Sequence, residues 1–198
     1  MNLYQHLIQR HYDIHLYPKT WVDEESGTIT FPLYTLDGRL TGVQQYRPEG
    51  EKKLHRDRMS GKYFTEQESY GVWGLEYVGL ERDLVVVVEG VFKACRFHTH
   101  MINSVAVLGN AISKNWKFPD GKIVIAVGDP DKWSRTLSNG SNFFIQPKIA
   151  IDDMTEKEFA GLVSDVLNSY YMIKHPSHFD KIKQEISEIR VDVLNSII

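Results

Sequence analysis

The spacing of apolar residues changes along this chain, and each change marks a different kind of element. Residues 27–47, GTITFPLYTLDGRLTGVQQYR, form two β-rich runs around Asp37-Gly38, and that turn pair predicts an antiparallel hairpin. From Arg47 to Lys62 the chain turns polar and Gly-bearing, with more basic than acidic side chains, which predicts an exposed loop. Short, wholly apolar runs then alternate with helical ones: a strand at 84–88 (LVVVV), a helix over about 90–100, strands in NSVAVLG and KIVIAVG, a helix near 131–138 and a strand in NFFIQ. Apolar strands separated by helices predict a parallel sheet covered on both faces.

Two amphipathic helices are expected to close the chain, one opened by a capping box of Thr155 with Glu158, the other by Ser177 with Asp180. In the second, Phe179, Ile182, Ile186, Ile189 and Val193 make a stripe that reads as packing on its own domain, because about two heptads are short for a coiled coil. The fold class is therefore α/β: a parallel sheet flanked by helices over 81–152, an N-terminal α+β, β-rich subdomain over 1–80, and C-terminal helices over 153–198.

Composition narrows the function classes. With 198 residues, 42% hydrophobic and 25% charged, the chain can bury a real core, and it has no apolar run long enough to span a bilayer. The amphipathic start, MNLYQHLIQRHYDIHLYP, lacks the pattern of a secretory signal, so no membrane partner and a cytoplasmic location are expected. The single cysteine, Cys95, excludes an intramolecular disulfide and any multi-cysteine zinc module, and its apolar setting predicts a buried thiol. A net charge of -3 argues against wholesale coating of nucleic acid but leaves room for a local basic groove.

The candidate chemistry sits where two apolar strands end. LVVVV runs into Glu89-Gly90, and IVIAV runs into Gly128-Asp129-Pro130-Asp131. A parallel sheet gathers the carboxyl ends of its strands at one edge, so Glu89, Asp129 and Asp131 are expected to converge as a divalent-metal site. Taken alone, Glu89 before a helix would be a dipole partner and Asp-Pro-Asp an ordinary turn; their joint placement favours the metal reading. Tyr63, Tyr70 and Trp73 are expected to pack between subdomains rather than to stack bases. The eight histidines include no pair at metal-binding spacing, and His98 and His100 are expected to face solvent.

The ordered set of motifs resembles the Toprim catalytic core of DnaG-type and phage DNA primases. Glu89-Gly90, Leu108-Gly109 and Asp129-Pro130-Asp131 fall in the family's order, and upstream Phe31-Pro32, Asp37-Gly38-Arg39, Arg47, Lys62-Tyr63 and Tyr70-Gly71-Val72-Trp73-Gly74-Leu75 are similar to its basic subdomain. The match covers roughly residues 27–155. The resemblance implies a primase core of phage or plasmid type that makes RNA primers on single-stranded DNA from ribonucleoside triphosphates. It further implies Mg²⁺ or Mn²⁺ on Glu89, Asp129 and Asp131, with Asp152 or Asp153 as a further acid, and Arg47 and Lys62 holding triphosphate or template backbone. A replicative helicase and a separate template-recognition module are the implied partners, since the sequence carries neither a zinc module nor a phosphate loop.

The chain departs from the pattern at two points. Lys93 stands where the family's Glu-Gly motif continues to an aspartate, and Lys132-Trp133-Ser134-Arg135 replace a small Ala-Gly pair. These departures keep a second class open, a catalytically weak nucleic-acid-binding accessory protein of the replisome. A Toprim nuclease or topoisomerase-like enzyme is a third, disfavoured by the primase-like upstream segment.

Overall fold

The computed structural model describes residues 2–52, 61–78, 82–109, 112–113, 117–118 and 120–177. A short helix, α1 (Leu3–Gln9), opens the chain; Asn2 caps it by accepting from the Gln5 N–H at 2.9 Å, and Leu3 and Leu7 bury its inner face. Four strands follow as an antiparallel meander: β1 (Trp21–Asp23), β2 (Thr28–Tyr34), β3 (Leu40–Tyr46) and β4 (Tyr63–Gln67). The hairpin predicted around Asp37-Gly38 is the β2–β3 pair, and Gly38 turns it at φ +80°, a conformation that side-chain-bearing residues rarely adopt.

The second sheet is wholly parallel, in the order β6-β5-β7-β8, with β5 (Leu84–Val88), β6 (Ser104–Ala106), β7 (Ile123–Val127) and β8 (Phe143–Ile145). Its strands read as unbroken apolar runs because both faces are covered. Val86 and Val88 enter the core shared with the antiparallel sheet, α2 (Val91–His98) and α3 (Glu156–Lys174), whereas Val85 and Val87 pack on Val105, Val124 and Leu137. The expected capping box opens α3, with Thr155 Oγ1 accepting from Glu158 N and the Glu158 carboxylate accepting from Thr155 N.

The two sheets are joined by backbone. Val72 exchanges hydrogen bonds with Tyr34 at the end of β2, and its neighbour Trp73 exchanges them with Ala106 at the end of β6. The Trp73 ring is fully buried against Tyr12, Tyr17, Phe31 and His98, so this aromatic packs between the sheets as expected.

Several expectations are corrected. Residues near 131–138 form a 3-10 turn, Ser134–Ser138, not an α-helix: Ser and Thr bonds to nearby carbonyls compete with helix growth, and Gly140 at φ +89° ends the segment. The strand expected in NSVAVLG is confined to Ser104–Ala106, and Leu108 at φ +59° breaks the extended run. His98 does not face solvent. Its Nε2–H donates to Ser104 O at 2.9 Å, so Nδ1 accepts from the Tyr17 hydroxyl at 3.0 Å, and burial lowers its pKa. His100 is exposed, with its ring 5.3 Å from Phe159. Cys95 is buried, as expected, and burial raises its pKa. The second C-terminal helix, with Phe179, Ile182, Ile186, Ile189 and Val193, lies outside the described residues. Among the described residues no helix is long and apolar enough to cross a membrane.

Candidate active site

Strands β5 and β7 lie side by side with Val87 level with Ala126, so the residues that follow them leave the same edge of the sheet. The chain departs from β5 to β6 on one side and returns to β7 on the other, which opens a crevice at this edge. Glu89 ends the first strand's run; Gly128 and Asp129 end the second. A Cβ on Gly128 would lie 2.7 Å from Ser134 Cβ and 2.9 Å from Phe144 Cε2, so the turn into Asp129 needs a glycine.

Lys93 occupies the space between the two acids. From the first turn of α2 its ammonium bonds Glu89 Oε2 at 3.4 Å, four residues back, and also Asp129 Oδ2. The group is largely shielded from water, with side-chain exposures of 11% for Lys93, 17% for Glu89 and 19% for Asp129. Burial pushes the Glu89 pKa up to about 7, against the pull of the Lys93 charge and with help from the Asp129 carboxylate beside it. Burial alone would lower the Lys93 pKa, but its bonds to Asp129 and Glu89 outweigh that and hold it above the ordinary value. The other Asp129 oxygen, Oδ1, is buried with no hydrogen-bond partner.

Asp131 does not join them. Its Oδ1 accepts from the Trp133 and Ser134 N–H groups at 2.8 Å each, holding the turn that starts the Ser134–Ser138 segment. The side chains of Ser134 and Gln146 donate to the carbonyls of Asp129 and Asp131 and lock the same turn. Asp131 borders a separate shallow hollow with Lys132 and Arg135. The expected convergence of three carboxylates is thus a convergence of two, and among the described residues no three His, Cys, Asp or Glu side chains are grouped to hold a metal ion.

Glu89 opens onto a cleft of about 810 Å³ between the sheets, lined on one wall by Glu89 to Lys93 and Leu108-Gly109 and on the other by Gln44 and the β4 residues Tyr63, Phe64 and Thr65; Asp129 does not line it and meets it through its bond to Lys93. Arg10 and Asp152 close one end, paired at 2.8 Å, with the Arg10 guanidinium 4.6 Å above the Phe92 ring. Asp152, and not its exposed neighbour Asp153, reaches the cleft. Arg47 is buried, its guanidinium donating to Gly61 O at 3.5 Å and Gln45 Oε1 at 3.0 Å. Lys62 precedes β4 with its ammonium 5.8 Å from the Tyr46 ring centre. Neither Arg47 nor Lys62 lines the cleft.

Arg10 is the cleft residue that sequence reasoning missed. It ends a short helix 142 positions from its partner Asp152, and no local pattern marks it. Lys93 was visible as a departure from the family motif, but its clamp between the acids was not.

Mg²⁺ typically takes one or two carboxylates and completes its shell with water and phosphate oxygens, so Glu89 and Asp129 suffice in number. The unpartnered Asp129 Oδ1 is an oxygen of the kind such an ion uses. The pair fits a divalent cation if Lys93 yields its place, and Asp131 and Asp153 are not part of that set.

No protein-family profile and no curated protein sequence matches this chain. Solved structures do. The zinc-binding and RNA polymerase domains of Aquifex aeolicus primase match at a TM-score of 0.51 and 19% identity over 77% of this chain and 44% of that one. A DnaG primase catalytic domain bound to single-stranded DNA matches at 0.52 and 18%, over 83% of this chain and 58% of that one. The primase fragment of the bacteriophage T7 primase-helicase matches at 0.52 and 13%, over 77% and 66%. The chain therefore has the fold of primase catalytic cores, and it spans about half the length of the first two.

Proposed function

We propose that the cleft binds single-stranded DNA and ribonucleoside triphosphates and that the chain is a primase core that joins them into RNA primers. The observation that carries this reading is a strand-end acid, Glu89, joined through Lys93 to a second strand-end acid, Asp129, and facing an aromatic wall across one open cleft. Tyr63, expected to pack between the subdomains, is instead 44% exposed, with its ring 5.0 Å from that of Tyr46, and can offer a ring face to a base, a sequence-tolerant contact. Arg10 presents a guanidinium at the cleft's end, suited to a phosphate oxygen. Glu89 and Asp129 would hold Mg²⁺ or Mn²⁺. Such an ion, when bound, supplies charge neutralisation at the transferring phosphate and activation of the attacking 3′-hydroxyl. The likeness in fold to primase cores supports the reading. A helicase and a separate template-recognition module belong to the same proposal.

The Lys93 ammonium between the acids favours a second reading, a replisome accessory protein that binds nucleic acid without polymerising it. Primer synthesis on single-stranded DNA, with ribonucleotides and Mg²⁺ or Mn²⁺, decides between them. The primase reading expects product from the wild type and none from Asp129→Ala, with DNA binding nearly intact in both. Binding without product in the wild type under every metal and partner condition leaves the accessory reading; absence of binding ends both.

A further inference from the structure

Lys93 is at once a partner of the acids and a wall of the cleft. Its ammonium is a cation on a flexible four-carbon stem, held by the two carboxylates that would take a metal ion. An ammonium and a divalent ion in contact with the same pair repel each other at close range in a site shielded from water, so each weakens the other's hold on the carboxylates. Released from the acids but still near them, a buried ammonium needs a new anion, and an unpaired one is costly.

We infer that Lys93 is a displaceable cation: it fills the Glu89–Asp129 pair in the unliganded chain, cedes it to a divalent metal ion, and then takes the phosphates of a nucleoside triphosphate in the cleft as its partner. Metal and triphosphate thereby bind as a coupled pair. Metal alone must evict the ammonium into a cleft whose Asp152 carboxylate is already paired with Arg10, whereas metal with triphosphate supplies a partner that receives it. The inference rests on the proposed function in two respects, that Glu89 and Asp129 are the cation-binding pair and that the cleft takes a ribonucleoside triphosphate.

Lys93→Met removes the charge and keeps most of the stem, and Lys93→Gln serves if the first variant folds poorly by circular dichroism. Mn²⁺ binding without nucleotide is followed by water-proton relaxation, and binding of the Mn²⁺ complex of a fluorescent ribonucleoside triphosphate by anisotropy. Loss of the competing charge should tighten binding of Mn²⁺ alone by about tenfold or more, whereas the Mn²⁺–triphosphate complex, which loses a phosphate partner together with the competitor, should gain little, so the cooperativity between Mn²⁺ and triphosphate should fall by about tenfold. Adding Asp129→Asn should erase the gain in Mn²⁺ binding. Equal Mn²⁺ affinity in wild type and variant overturns the displacement, and an unchanged cooperativity between Mn²⁺ and triphosphate overturns the hand-over. Primer synthesis by a wild type whose Mn²⁺ affinity ignores Lys93 would sink this inference while leaving the function; Mn²⁺ gain in a chain that makes no primer does the reverse.

Discussion

Trp73 and Ala106 exchange both backbone hydrogen bonds, at 3.0 Å in each direction, and this bridge ties the segment leaving the antiparallel sheet to the end of a parallel strand. The cleft walls are therefore set by main-chain geometry and by one continuous core. Trp73→Ala should cost about 3–5 kcal/mol, as for other buried large aromatics. Urea unfolding followed by both near- and far-ultraviolet circular dichroism should show a single coincident transition, and two separated transitions would contradict a shared core.

Asp129 and Asp131 are expected to behave differently although one residue separates them. Asn at 131 can still accept the Trp133 and Ser134 N–H bonds, so Asp131→Asn should leave stability and Mn²⁺ binding close to wild type, while Asp131→Ala should lose about 1 kcal/mol of stability. Asp129→Asn should lose Mn²⁺ binding. Comparable loss of Mn²⁺ binding in Asp131→Asn would place Asp131 in the coordination shell after all.

Arg10, and not the buried Arg47, should carry the salt dependence of binding. Replacing Arg10 with Ala should lower the slope of log affinity for single-stranded DNA against log salt by about 0.7, the single-strand value for one lost phosphate contact. Arg47→Ala should leave the slope unchanged and reduce stability, because its guanidinium serves Gly61 and Gln45. The reverse pattern would point to a different binding face.

Glu89 ties stability to pH. Its folded pKa of about 7 stands above the ordinary 4.5, so the folded chain binds the proton more tightly than the unfolded one. The contribution is full below about 4.5 and is lost as pH rises through about 7. Between those limits the wild type should lose stability relative to Glu89→Gln as pH rises, read as the difference in urea midpoints. A difference that stays flat, or grows in the wild type's favour, would show that Glu89 is ionised in the fold throughout.

The hairpin at Asp37-Gly38, the buried parallel strands and the Thr155–Glu158 cap were legible because each is written in neighbours a few positions apart. The meeting of Glu89 with Asp129 was legible for a different reason: adjacent parallel strands must end at one edge, so their terminal residues are neighbours by topology. Only the tertiary structure decided which oxygens point where. Asp131 was claimed by two backbone N–H groups of its own turn, and Lys93, 36 positions before Asp129, entered between the acids. Arg10 came from the far end of the chain, and Arg47 turned inward to its own loop. Periodicity assigns a residue to a face, but the partner that satisfies a charge is set by distances across the fold, and those emerge only when the two sheets have closed on their common core.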